Sequence, residues 1–271
     1  SAHISSLEKE LNARLFVRNT KEVKLSDDGK DLYRYARQMI DLQKKIEERF
    51  ETGKEESKHL ITIAASTIPA QYILPKILMK FNERYPKEQV KLLETDSSQV
   101  VTQIIDHMVD VGFTGTVLEK KHCKYIPFYK DELVVITPNT EKYQKLLEDM
   151  PDDISWIGGE HLIMREEGSG TRKEAGKQLR AAGINLDKLK IIASIENQET
   201  IKKSVKQGMG ISVISRLAAE DEVKYGDLLA FSIPKADQGR DINLVYNKNY
   251  QMSKSTERFV KIVKEVYGIE E

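Results

Sequence analysis

Residues 60–94 read LITIAASTIPAQYILPKILMKFNERYPKEQVKLLE, and this stretch decides the fold class. The run LITIAA (60–65) is short and apolar, as in a buried strand, and Pro69 opens a helix that continues through Tyr85. The run QVKLLE (89–94) has the character of a second strand. A strand, a helix and another strand in succession predict a βαβ unit and a parallel sheet.

The same alternation continues to the end of the chain, which predicts an α/β fold. We predict further strands at 109–115, 132–138, 161–166, 190–195, 211–215 and 241–247, and further helices at 98–108, 171–182, 199–207 and 254–267.

Two different elements precede the α/β region. Ala2 to Leu11 carries apolar residues three and four apart, which predicts a short helix, and RLFVRNTKEVKL (14–25) predicts a basic hairpin. Ser26 is a good N-cap for a long charged helix, which the linker 52–57 follows. Its heptad seam predicts a partner helix and consists of Leu32, Ala36, Met39, Gln43, Ile46 and Phe50.

Charge and composition exclude several classes. The 271 residues contain 43 Lys plus Arg and 43 Asp plus Glu, so any contact with nucleic acid needs a local basic patch. One cysteine, Cys123, cannot form an internal disulfide, and we expect it in the core or at its edge. No apolar run approaches the ~20 residues of a membrane span, and the charged N-terminus is not a signal peptide, so a cytoplasmic protein without a membrane partner is expected.

The N-terminal spacing resembles the LysR-type transcription regulators of bacteria. The matching pattern is Ser1-x-x-Ile4-x-x-Leu7-Glu8-x-x-Leu11-x-x-x-Leu15-Phe16-x-Arg18, then Leu25-Ser26-x-x-Gly29. REEGSGTR (165–172) and ENQETIKKSVKQGMGISVIS (196–215) are similar to sensor motifs of the branch that includes sulfur-assimilation and carbon-fixation regulators. The resemblance therefore covers the whole chain.

This resemblance implies three parts. Residues 1–25 would be a partial winged helix-turn-helix with the recognition helix and wing, and 26–57 a long dimerisation helix. Residues 58–271 would be a periplasmic-binding-protein-like, two-lobed α/β sensor domain that binds an effector. Lobe one would contain 60–135 and 238–271, and lobe two 136–237. A homodimer or homotetramer is implied.

The expected DNA contacts lie at the start of the chain. A recognition helix places short polar side chains on base edges and basic ones on phosphates. The candidates are Ser1, His3, Ser5, Arg14, Arg18 and Lys21. Charge alone would favour a solvated surface, whereas the family pattern favours contact with promoter DNA. Because the pattern starts at or near the recognition helix, that contact is expected of the full-length parent.

The expected effector site lies where strands lead into helices. Helix N-termini offer unpaired N–H groups and the positive end of the dipole, which suit a small anion or polar metabolite. The candidates are Ser66, Thr67, Thr114, Gly168, Ser169, Gly170, Thr171 and Asn197. Each keeps an alternative: the hydroxyls and Asn197 could serve only as helix caps, and the glycines only as a tight turn.

Two other classes of function compete with a regulator. A solute-binding protein of a transport system would share the sensor fold, but it would need an export signal and leaves the heptad helix unexplained. An enzyme is disfavoured because no G-x-S-x-G elbow is present and the five histidines are scattered. We therefore expect no catalytic residue, no metal and no cofactor.

Overall fold

The structure is a computed structural model that describes residues 2–18, 23–50, 60–149, 153–234 and 239–269. The helices are α1 (Ala2–Glu10), α2 (Asp27–Phe50), α3 (Leu74–Arg84), α4 (Ser97–Ile105), α5 (Glu141–Asp149), α6 (Gly170–Ala181), α7 (Gln198–Lys206), α8 (Arg216–Lys224) and α9 (Lys254–Tyr267). The strands are β1 (Phe16–Arg18), β2 (Val23–Leu25), β3 (Leu60–Ala65), β4 (Gln89–Glu94), β5 (Val111–Thr114), β6 (Cys123–Asp131), β7 (Leu133–Pro138), β8 (His161–Met164), β9 (Lys190–Ser194), β10 (Ile211–Ser215), β11 (Leu228–Ser232) and β12 (Arg240–Asn247).

The N-terminal elements pack around Leu15, which is buried. The Leu15 N–H donates to a Glu8 carboxylate oxygen at 2.8 Å, and the Leu15 carbonyl accepts from the Ser26 N–H at 3.0 Å. A side chain at Gly29 would collide with that carbonyl, which explains the glycine at the start of α2. Ser26 Oγ accepts from the Gly29 N–H at 2.9 Å, so the predicted cap is confirmed.

The long helix α2 exposes the predicted seam within a single chain. Met39 is 73% exposed and Ile46 52% exposed, although both are apolar. The seam's last residue, Phe50, has a side chain outside the described residues, as does the predicted linker 52–57.

The α/β region forms two sheets. The first has the strand order β4-β3-β5-β12-β6, and the second has the order β11-β7-β10-β8-β9. The chain passes to the second sheet at Glu132, and it returns between Ser232 and Arg240. All of β7 belongs to the second sheet, so this passage falls slightly before the lobe boundary that we predicted after residue 135.

The predicted parallel pairing is found within the βαβ units, but both sheets are mixed. β3 pairs in parallel with β4 and β5, but β12 runs antiparallel to β5 and β6. Likewise β10 is parallel to β8 and antiparallel to β7. Each antiparallel pair in these two sheets includes a strand that flanks one of the two passages. The strands that follow the passages, β7 and β12, run against the direction of the βαβ strands in their sheets.

Each lobe has its own core. In lobe one, Phe259 of α9 packs edge-on against Phe81 and Phe113, so the last helix closes a core begun near residue 60. In lobe two, Trp156 packs edge-on against Phe231. Cys123 is buried, as predicted, and burial raises its pKa to about 11.

Candidate effector site

A cleft opens where the two lobes meet. Three strand-to-helix junctions and the start of one passage strand surround it. Its lining residues are Ser66, Thr67, Ile68, Thr95, Asp96, Ser97, Arg165, Glu166, Ser169, Gly170, Thr171 and Arg240. Both lobes therefore contribute hydroxyls and charges to one space.

Ser66 and Thr67 follow β3 and lie in the cleft without capping a helix. The Ser66 N–H donates to the Phe113 carbonyl at 2.9 Å, which fixes the loop. The helical stretch that begins at Thr67 continues through the turn Pro69–Ile73 without a side-chain cap, and neither hydroxyl has a protein partner among the described residues. The cap alternative is therefore wrong here, and both hydroxyls are available to a ligand.

The N-terminus of α6 forms the opposite wall. Ser169 is buried and accepts weakly from the Arg172 N–H at 3.4 Å, so it is partly a cap. Thr171 is buried, and its hydroxyl has no partner among the described residues. A Cβ on Gly170 would lie 2.8 Å from Thr116 Oγ1 and 3.2 Å from Ser97 Oγ, both in lobe one. The glycine thus lets the lobes approach each other closely.

Three predicted residues are not brought into the cleft. Thr114 is fully buried, and its hydroxyl donates to the Thr116 carbonyl at 2.9 Å, which satisfies it locally. Gly168 lies in an exposed turn where an added Cβ would contact nothing. Asn197 caps α7, because its Oδ1 accepts from the Thr200 N–H at 3.0 Å.

The junction after β4 was missed by the sequence analysis. Asp96 caps α4 by accepting from the N–H groups of Ser98 and Gln99 at 2.8 and 2.9 Å. Ser97 beside it is buried and faces the same cleft as Ser66. The sequence signal was present, since a strand followed by Thr-Asp-Ser-Ser is an N-cap pattern.

Two cleft arginines were also missed. Arg165 makes a forked contact with Glu166, with Nε to Oε2 at 2.8 Å and Nη2 to Oε1 at 2.9 Å. Arg172, at the end of the same motif, donates from Nη1 to the Arg165 carbonyl at 2.9 Å.

The second arginine, Arg240, belongs to a buried pair at the passage between the lobes. Arg240 Nε donates to Asp131 Oδ2 at 2.9 Å, Nη2 lies 2.8 Å from the same oxygen, and the side chains are only 5% and 0% exposed. Ser215 Oγ of the other sheet donates to Asp131 Oδ1 at 2.5 Å. Burial raises the pKa of Asp131, although Arg240 and Ser215 oppose that shift.

Gln198 is a further polar group that the analysis did not select. It is 2% exposed, and neither its Nε2 nor its Oε1 has a partner within the described residues. Leaving a buried amide unpaired costs about 1–3 kcal/mol, so water or a ligand is expected to contact it. Its neighbour one turn on, Ile201, packs in the same apolar cluster as the cleft residue Ile68.

The candidate DNA residues have a separate location. His3 and Ser5 are exposed on α1, and Arg14 is exposed beside the hairpin. Ser1 and Lys21 lie outside the described residues, and so does the side chain of Arg18.

Across the described ranges, no cluster of three or more His, Cys, Asp or Glu residues could hold a metal ion. No helix in the same ranges is long and apolar enough to cross a membrane.

A two-lobed α/β domain with a polar cleft, joined to a helix, hairpin and long helix, is the architecture of a ligand-sensing transcription regulator. A family model described as the LysR substrate binding domain matches residues 54–268. The chain belongs to the LysR family, so the family prediction is confirmed.

Individual relatives agree with this assignment. An uncharacterized HTH-type transcriptional regulator of Methanocaldococcus jannaschii is 30% identical and covers 98% of this chain and 88% of its own length. A probable RuBisCO transcriptional regulator of Cyanidium caldarium is 26% identical, over 96% of this chain and 82% of its own. These relatives are transcriptional regulators, not transport proteins or enzymes.

A solved structure matches the sensor domain. The regulatory domain of CcmR from Synechocystis PCC6803, in complex with 2-PG, is 25% identical with a TM-score of 0.68. The match covers 78% of this chain and 98% of that domain, so the predicted sensor fold is confirmed.

Proposed function

We propose that the cleft binds a small anionic effector and that this binding changes how the subunits pack on promoter DNA. The observation that carries the proposal is the convergence of unpaired hydroxyls from both lobes, Ser66 and Thr67 on one side and Thr171 on the other. The first N–H groups of a helix have no partner within it, so the helical turn that begins at Thr67 and the start of α6 add donors with partial positive charge.

An anion held by both walls favours the closed arrangement of the lobes over a more open one. A ligand shifts such an equilibrium only by its difference in affinity for the two states, and contacts with both lobes supply that difference. The 2-PG complex of CcmR supports a phosphorylated or carboxylate effector, because that molecule carries both groups.

The remaining parts have proposed roles in the same mechanism. The exposed seam of α2 pairs with its copy in a homodimer, which two dimers could extend to a tetramer. His3, Ser5 and Arg14 contact promoter DNA, with an affinity that falls as salt rises.

Calorimetry with four anions tests the cleft. This anion panel consists of sulfate, thiosulfate, inorganic phosphate and 2-phosphoglycolate. Ser66→Ala and Thr171→Ala should each weaken the tightest-binding anion about ten- to a hundredfold, because a hydrogen bond to a charged ligand contributes ~1.5–3 kcal/mol. Ser204→Ala is the control, since that hydroxyl lies on α7 and donates to the Thr200 carbonyl.

Parent-like binding by both cleft variants would place the ligand elsewhere. A loss in Ser204→Ala as large as that in Ser66→Ala would also refute the cleft as the site.

A further inference from the structure

The two arginines in the cleft differ in how many of their guanidinium N–H groups already have an acceptor. Arg165 directs both ends of its fork to Glu166. Arg240 directs Nε and Nη2 to a single oxygen, Asp131 Oδ2, and its Nη1 has no hydrogen-bond partner within the described residues. A guanidinium has five N–H donors, so Arg240 retains donors for a second acceptor in the cleft that it lines.

The position of Arg240 is fixed from two sides. Asp131 holds one edge of the guanidinium and is itself tied to Ser215 of the other lobe. On its face, a Cβ at Gly115 would lie 3.2 Å from Cζ, Nε and Nη1, so the backbone packs directly against the charged group. A side chain held in this way loses little conformational freedom when it binds a ligand.

We propose that Arg240 is the charged contact for the carboxylate or phosphate of the effector. Its Nη1 and the second hydrogen of Nη2 donate to the anion, in the planar geometry with which arginine binds such groups. Asp131 is a positioning residue that keeps the buried cation paired when the cleft is empty. This inference rests on the proposed function, because it assigns a residue to the same site.

The pairing of Arg240 with Asp131 predicts that Asp131→Asn lowers stability but tightens anion binding. Without its carboxylate, Arg240 is a buried charge with no ionic partner, so the ligand-free protein should melt at a lower temperature. Anion affinity should rise roughly tenfold or more, because a negative charge near the binding site has been removed. Structural damage alone would not tighten binding, so this result separates charge from folding.

The experiment uses the full chain, the anion panel, calorimetry and thermal melting. Arg240→Gln should weaken the tightest-binding panel anion roughly a hundredfold, the upper end for a hydrogen-bonded charge. The double variant Asp131→Asn/Arg240→Gln removes both charges, so it should fold yet bind anions as poorly as Arg240→Gln.

A matched control stands at the same passage between the lobes. Arg216 makes a similar forked pair with Glu132, with Nε to Oε2 at 2.6 Å and Nη2 to Oε1 at 2.8 Å, but it does not line the cleft. Arg216→Gln and Glu132→Gln should therefore leave anion affinity within about twofold of the parent.

The outcomes distinguish this inference from the proposed function. If Ser66→Ala weakens binding while Arg240→Gln binds like the parent, or while Asp131→Asn fails to bind more tightly, the cleft is the site and Arg240 is not the contact. If Arg240→Gln fails to fold, Asp131→Asn and the double variant decide alone. A parent chain that binds none of the panel anions overturns both proposals.

Discussion

Replacing Gly170 by alanine should weaken anion binding while leaving the free energy of unfolding nearly unchanged. The new Cβ would lie 2.8 Å from Thr116 Oγ1, whereas ordinary contacts lie at 3.4–4 Å, so the lobes or the hydroxyl must yield by about 0.6 Å. Two side-chain oxygens of lobe one stand in its way, Thr116 Oγ1 and Ser97 Oγ. The methyl group would therefore act as a wedge between the lobes, at the N-terminus of α6.

The expected energies follow from this geometry. Alanine is better than glycine by about 0.8–1 kcal/mol in a helix interior, and part of that gain at the first residue of α6 offsets the strain, so the free energy of unfolding should stay within about 1 kcal/mol of the parent. Anion affinity should fall roughly tenfold, or about 1.4 kcal/mol, because the backbone can no longer approach the ligand closely.

Calorimetry with the tightest-binding panel anion and urea denaturation measure the two quantities. Gly168→Ala is the matched control, because it lies two residues away in the same loop with open space around its Cβ position. If Gly170→Ala binds the anion as tightly as Gly168→Ala, the reasoning about the cleft wall is refuted.

Three further predictions concern other parts of the chain. Met39→Glu with Ile46→Glu should convert the proposed dimer to monomers in sedimentation, because charge at the exposed seam of α2 opposes its burial; an unchanged oligomer would exclude this helix as the main contact. Cys123 should react with a thiol reagent at pH 8 far more slowly in the folded chain than in denaturant, since its pKa of about 11 keeps it protonated; equal rates would contradict its burial. Hydrogen bonding from Arg216 lowers the pKa of Glu132 from its ordinary value of 4.5 in the folded chain. The pair therefore stabilises the fold fully above pH 4.5, and this stabilisation is lost as the pH falls through the lowered pKa. In Glu132→Gln the melting temperature should therefore fall less steeply as the pH is lowered. A melting temperature that falls as steeply as in the parent would argue against the pairing.

The predicted residues that the structure places in the cleft share a local origin. Ser66, Thr67 and Thr171 lie in the cleft because each stands where a strand gives way to a helix, and short-range periodicity locates such junctions. The buried core of each lobe and the last helix follow from the same local patterns.

The failures have an equally physical cause. Arg240 and Asp131 are 109 residues apart, and only the two passages between the lobes bring them together. Thr114 and Asn197 stand at comparable strand ends, but nearby backbone groups satisfy their side chains. Neither the long-range pairing nor the local competition can be read from spacing alone.

Hydrogen exchange of the full chain, with and without the tightest-binding panel anion, tests the central claim most directly. We expect the amides at 66–68 in lobe one and at 169–172 in lobe two both to gain protection, because one anion would order both walls of the cleft. Protection confined to one lobe, or centred on the remote strand β9, would contradict a ligand held between the lobes.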